Sequence, residues 1–178
     1  WVASSEKFWE PISKYINHFK IRGSYGLVGS DAFASGAPHF LYQNNIGIGS
    51  AHNFWTGLPT SEISKKGPGF YVLAVQDAGW EHVKKFDIGF DMMLFNQLNI
   101  TFDYFHDKRE RILMSRASWP SMLGYWGSKP WSNIGEVENQ GFELSLNWTK
   151  QFGKDLTLDL RGNFTYNQNE YKYVDLSL

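Results

Sequence analysis

Four segments of this chain alternate apolar and polar residues with a strict period of two. Phe86, Ile88, Phe90, Met92 and Leu94 interleave with Lys85, Asp87, Gly89 and Asp91. Leu98, Ile100, Phe102 and Tyr104 interleave with Asn99, Thr101 and Asp103. Phe142, Leu144, Leu146 and Trp148 do the same against Glu143, Ser145, Asn147 and Thr149, and residues 156–167 repeat the pattern from Leu156 to Tyr166. Successive side chains of a strand point to opposite faces, so each segment is a strand with one apolar and one wet face. A helix would place its apolar residues three and four apart, and these segments do not.

The connections between strands alternate in length. Residues 29–79 are rich in Gly, Ser, Asn and Pro and read as a long loop, with apolar patches at 40–48 and 69–75 able to pair as a hairpin. Strand 80–94 meets strand 98–114 through the tight turn Phe95-Asn96-Gln97. Residues 115–135 form a second long loop, and strand 137–149 meets strand 155–168 through Lys150–Lys154, with Gly153 for the turn. Outer-membrane barrels have short periplasmic turns and long extracellular loops. A strand of about 10 residues at a tilt near 45° covers roughly 23 Å of hydrocarbon. The expected fold is therefore all-β: an antiparallel transmembrane β-barrel segment with short periplasmic turns and long extracellular loops. At the N-terminal end, Phe8, Ile12, Tyr15 and Ile16 fall at helical spacing, and Pro11 suits the start of a short helix. Residues 19–28 alternate again as a strand.

Period-two patterning also describes a soluble sandwich, whose apolar face would be core. A soluble or surface-attached β-rich carbohydrate-binding module stays open as the alternative on pattern alone. Composition excludes other classes. The net charge is −1 and there is no basic run, so nothing favours nucleic acid. Cysteine is absent, which removes disulfides, thiol nucleophiles and thiolate metal sites. The five histidines never fall at a ligand spacing such as H-x₃-H, so no metal site is expected. No catalytic constellation and no cofactor motif stand out, so an enzyme is not expected. No stretch approaches about 20 apolar residues, so no membrane-crossing helix is expected either.

Several segments resemble the SusC-like (SusC/RagA) family of TonB-dependent outer-membrane transporters. They are FKIRGSYGLVGSD at 19–31, GWEHVKKFDIGFDMML at 79–94, LNITFDYFHDKRERIL at 98–113 and NIGEVENQGFELSLNW at 133–148. The last carries an N-x-G-x-x-x-N-x-G-x-E-L pattern, in Asn133, Gly135, Asn139, Gly141, Glu143 and Leu144. The resemblance implies that residues 1–178 are a C-terminal segment of a 22-stranded barrel in a bacterial outer membrane. It implies import of oligosaccharides or peptides, a SusD-like surface lipoprotein as partner, and the lipid bilayer as surroundings. Plug, TonB box and signal sequence find no counterpart in these residues, so contact with TonB would fall to an N-terminal part outside them. The long loop at 115–135 carries Trp119, Tyr125, Trp126 and Trp131, whose faces suit sugar rings or a lipoprotein surface. Loop packing and membrane anchoring explain the same residues. Polar residues of the wet faces, such as Asp87, Asp91, Asp103 and Glu143, are expected to pair across strands.

Overall fold

The structure is a computed structural model, and it describes residues 1–31, 35–37, 39–58, 61–75, 77–120 and 129–176. The strands are β1 (Ile16–Ser30), β2 (Asn45–Leu58), β3 (Ser61–Val72), β4 (Glu81–Leu94), β5 (Leu98–Ser115), β6 (Trp131–Phe152) and β7 (Leu156–Tyr173). Five of them form one sheet in the order β1-β4-β5-β6-β7, while β2 and β3 pair as a separate antiparallel hairpin. Strands of 18, 22 and 18 residues in β5, β6 and β7 run to about twice the 9–11 that a tilted strand needs to cross hydrocarbon. Among the described residues no helix is long and apolar enough to cross a membrane, which says nothing of a β-barrel.

Two compact units divide the chain. The first is built from Trp1–Val28, Val83–Arg109 and Val137–Tyr171. Its apolar face carries a continuous line of rings. Trp9 stacks on Phe19 at 5.2 Å, Phe19 meets Phe90 at 6.0 Å, Phe90 meets Phe102 at 5.5 Å, and Phe102 meets Phe142 at 6.0 Å. Phe142 then touches both Phe164 and Tyr166 at 5.7 Å. Trp9 comes from the N-terminal turn; from Phe19 onward each step of the line crosses to the next strand of the sheet, β1 to β4, β5, β6 and β7, at positions that the alternation marks as apolar. Cross-strand ring pairs of this kind contribute about 0.2–1 kcal/mol each. The face is also bare: Ile88 is 45% exposed and Leu160 is 54% exposed. In water such a stripe would be a liability; against lipid it is the expected surface.

The turns of this unit follow from backbone chemistry. Phe95 and Asn96 both adopt positive φ, 54° and 53°, which is the conformation a two-residue hairpin connection requires. Phenylalanine is strained there, and neighbouring contacts offset the strain. Phe95 N–H donates to Tyr15 O at 2.9 Å, its ring meets Tyr15 edge-on, and Asn96 N–H donates to Asn17 Oδ1 at 2.6 Å. The β6–β7 turn uses Gly153 at φ 69°.

The short N-terminal helix expected from the spacing of Phe8, Ile12, Tyr15 and Ile16 does not form. Two three-residue 3-10 turns, Ala3–Ser5 and Lys7–Trp9, are followed by turns through Tyr15. Pro11 offers no N–H to a helical ladder. The Trp9 indole instead donates to Ile16 O at 3.0 Å and lays its ring on Phe19, which stops the helical course. Val2 bridges Lys20, so this segment folds back along β1.

The second unit comprises Gly29–His82, Glu110–Glu136 and Lys172–Leu178. Its small apolar core is Leu41, Val75 and Leu113, with Ala37 and Trp131 packed against it. The expected hairpin in the long loop is present but displaced: Ile46 faces Phe70, Ile48 faces Pro68, and Trp55 faces Ser64.

Candidate functional site

The polar face of the first unit is an ion-paired surface. Arg22 of β1 reaches Asp91 of β4 at 3.1 Å and Asp103 of β5 at 3.0 Å. Lys20 lies 4.0 Å from Asp91, Lys85 lies 3.7 Å from Asp107, and the Ser24 hydroxyl donates to Asp87 at 3.2 Å. On the neighbouring pair of strands, Thr149 Oγ1 donates to Asp159 at 2.6 Å. Asp87, Asp91 and Asp103 pair across strands, as expected, whereas Glu143 has no such partner among the described residues. Half-exposed pairs like these contribute at most about 1 kcal/mol each, so they mark the face as wet more than they stabilise it. Part of this network borders an open cavity of about 540 Å³, lined by the cations Arg22 and Lys85 and the carboxylates of Asp87, Asp103, Asp107 and Glu143. Among the described residues no group of acidic or histidine side chains is placed to hold a metal ion.

The asparagine–glycine pattern in β6 acquires physical meaning in both units. In the first, Gly141 faces β7 so closely that a Cβ would strike the Tyr166 carbonyl oxygen and come within 2.7 Å of the Phe105 ring. In the second, a Cβ on Gly135 would sit 3.0 Å from Ile112 and Met114. Asn133 is a brace: its amide donates to Gly79 O and to Arg111 O, both at 2.9 Å, and accepts from Gly79 N–H at 3.2 Å. The residue types alone do not reveal this brace, because its partners are backbone atoms 54 and 22 residues away.

The four loop aromatics are treated unequally. Tyr125 and Trp126 lie outside the described residues. Trp131 is the first residue of β6 and packs half-buried against the Leu41–Val75–Leu113 cluster. Trp119 is half-buried, in a turn where its N–H donates to Arg116 O at 3.2 Å. That turn is clamped. Asp175, whose side chain is 5% exposed, accepts from Arg116 Nε at 3.0 Å and from Ser118 N–H at 3.3 Å. Hydrogen bonds from the Ser118 hydroxyl and backbone, with the Arg116 guanidinium, hold the Asp175 carboxyl below its ordinary value against the opposing effect of burial. A depressed carboxyl stabilises the fold above its unfolded-state value and loses that contribution as pH falls through the folded one. At neutral pH, Asp175→Asn is therefore expected to speed proteolytic cleavage in the 116–130 loop. Acidification below the ordinary carboxylate range should do the same in the unsubstituted protein and change the variant little. Equal cleavage of both at neutral pH would show that the clamp does not hold the loop.

Long strands with one lipid-suited, ring-lined face and one ion-paired face define the wall of an outer-membrane β-barrel. The chain belongs to the family described as "TonB dependent receptor-like, beta-barrel", which matches residues 9–177. It is 30% identical over 171 residues to TonB-dependent receptor P3 of Formosa agariphila, covering 96% of this chain and 16% of that protein. It is 28% identical over 171 residues to TonB-dependent receptor P39 of the same organism, covering 96% and 15%. The chain thus spans about a sixth of the length of these curated relatives. Among solved structures, it superposes with a TM-score of 0.71 on a chain of the RagAB peptide importer in the "open-open" state, at 20% identity, covering 100% of this chain and 18% of that one. A second, the RagAB peptide transporter, gives 0.62 at 22% identity, covering 93% and 17%. These likenesses carry the fold. The resemblance to SusC-like transporters is borne out, and the soluble sandwich is set aside. The barrel is not closed by these strands alone: β7 is exposed along all 18 residues.

Proposed function

We propose that this chain is part of the C-terminal barrel wall of an active transporter that imports oligosaccharides or peptides with energy delivered through TonB. A SusD-like surface lipoprotein is the proposed partner at the extracellular mouth, and TonB would engage a part of the protein outside these residues. The observation that carries the proposal is the segregation of the two faces in the first unit. One face is ring-lined and bare; the other pairs its charges around a cavity of about 540 Å³, as a water-filled lumen requires. The relatives named TonB-dependent receptors support active uptake, and the RagAB neighbours, described as a peptide importer and transporter, support import with a second component. No catalytic role is proposed. Trp119, Tyr125, Trp126 and Trp131 are the proposed aromatic contacts for cargo or lipoprotein.

The test is uptake by cells that express the full-length protein. Fluorescent oligosaccharides or oligopeptides should enter only with TonB present and the proton gradient intact. Entry that survives loss of TonB would leave a passive pore and remove the active-transport reading. A narrower prediction concerns the aromatics. Replacing Trp119, Trp126 and Trp131 together by Ala should weaken retention of cargo or lipoprotein, with each lost contact worth about 1 kcal/mol. Because Trp131 also packs against the Leu41–Val75–Leu113 cluster, retention is compared only in variant protein that shows normal heat-modifiable migration on gels. Unchanged retention in the assembled triple variant would assign these rings to loop packing.

A further inference from the structure

A second cavity lies within the second unit, with a volume of about 240 Å³. Its floor is apolar, with the buried side chains of Leu41 and Leu113 from the small core. Its rim is aromatic: Trp80 and Tyr42 both line it, yet they remain 63% and 67% exposed. Asp31 completes the rim, and its carboxylate has no ion pair or hydrogen bond among the described residues. The acidic groups of the lining are the carboxylates of Asp31 and Glu81, and His39 lines it as well; among the described residues no Lys or Arg does. The Arg111 guanidinium packs against Gly79 and is tied to Asp77 at 3.2 Å.

The Trp80 ring is held in place before any ligand arrives. It lies against Gly29, where a Cβ would come within 3.1 Å of the indole, so a side chain at that position would require the ring to shift by a few tenths of an ångström. The residue before it, Gly79, is gripped at both its N–H and its carbonyl by the Asn133 amide. The six-membered ring of the indole therefore rests against backbone while much of the side chain stays open. Exposed aromatic faces attract cations through their quadrupole, and a fixed ring loses less entropy on binding than a mobile one. An apolar floor beneath such a rim suits a methylene stem, and an unpaired carboxylate suits the charge at its end.

We propose that this cavity binds a cationic group carried on a methylene stem, the side chain of lysine or arginine in a peptide. The ammonium or guanidinium sits among Asp31, Trp80 and Tyr42, and the stem lies on Leu41 and Leu113. This rests on the import reading above and narrows its cargo to peptides with basic side chains. A neutral sugar could stack on Trp80 too, but it would leave the Asp31 charge uncompensated and would gain nothing from the acidic lining.

The test uses the full-length transporter in detergent and three tripeptides, Ala-Lys-Ala, Ala-norleucine-Ala and Ala-Glu-Ala, with binding followed by calorimetry. The lysine peptide should bind about five- to tenfold more tightly than the norleucine peptide, and the glutamate peptide should bind weakest. Asp31→Asn should remove most of the lysine preference. Tyr42→Leu should reduce it while sparing Trp80 and its seat. Both variants must show normal heat-modifiable migration. Equal binding of the lysine and norleucine peptides, or a preference that survives in both variants, would overturn the site while leaving peptide import standing. Tight binding of maltotriose with no tripeptide bound would overturn the site and exclude peptides as cargo.

Discussion

Arginine placed at Phe90 is expected to destabilise the assembled barrel by roughly 2–4 kcal/mol, and arginine at Leu146 by a similar or somewhat smaller amount. Phe90 sits in the middle of the ring line, between Phe19 and Phe102. A guanidinium there must leave water for hydrocarbon, and the two ring contacts are lost as well. Leu146 belongs to the same face, is 38% exposed, and lies nearer the β6–β7 turn, where a long side chain can reach the interface. The control is Asn147→Arg on the opposite face, which should cost well under 1 kcal/mol. Asp91→Arg would not serve as a mild control, although its place on the wet face suggests one. Asp91 accepts Arg22 and lies beside Lys20, so a third cation there would meet both. Reversible unfolding in urea from lipid vesicles measures these differences. Equal costs at Phe90 and Asn147 would remove the lipid-facing assignment.

The second large effect is expected at Gly141. A valine there needs room that the Tyr166 carbonyl, the Phe105 ring and the Asn167 Cα at 3.1 Å already fill. Two of these obstacles are backbone, so the β6–β7 pairing itself must open. Forced overpacking of this kind typically costs about 1–3 kcal/mol, and the lost ladder hydrogen bonds add to it. Gly162→Val in the facing strand is the comparison, since a Cβ there meets nothing within 4 Å. The Gly141 variant should show a lower urea midpoint and incomplete heat-modifiable folding, and the Gly162 variant should match the unsubstituted protein. If both behave alike, the close approach at Gly141 is not what its place in the motif reflects.

The strands β4 to β7 were legible because each has one lipid-suited and one wet face, and period-two patterning reports that contrast directly. The ends of β6 were not. The strand runs from Trp131 rather than 137, through Asn133, Gly135 and Glu136, where apolar and polar no longer alternate. Beyond the apolar band neither face meets lipid, so nothing in residue type marks the strand. The β2–β3 hairpin was misplaced for a related reason. Gly47, Gly67 and Gly69 break the pattern, and Ile48, Trp55 and Ile63 are exposed, so patch boundaries do not coincide with strand boundaries. The sites were less legible still. Arg22, which joins Asp91 and Asp103, and Trp80 on its Gly29 seat both depend on residues far away in sequence. Spacing motifs cannot report such a meeting.

The ring line and the Gly141 contact together bear on how the wall is put together. Alternation alone rejects a slip of one residue, because every side chain would change face. It does not reject a slip of two, which returns each apolar residue to the apolar side. Sliding β6 by two against its neighbours would replace Phe142 by Gln140 or Leu144 opposite Phe102. It would also bring Asn139 or Glu143 to the place beside Tyr166 where only a hydrogen fits. The sequence thus carries two length scales of proofreading: a coarse one in its polarity, and a fine one in a single aromatic row and one glycine. During insertion, mispaired sheets that satisfy the first would be rejected by the second.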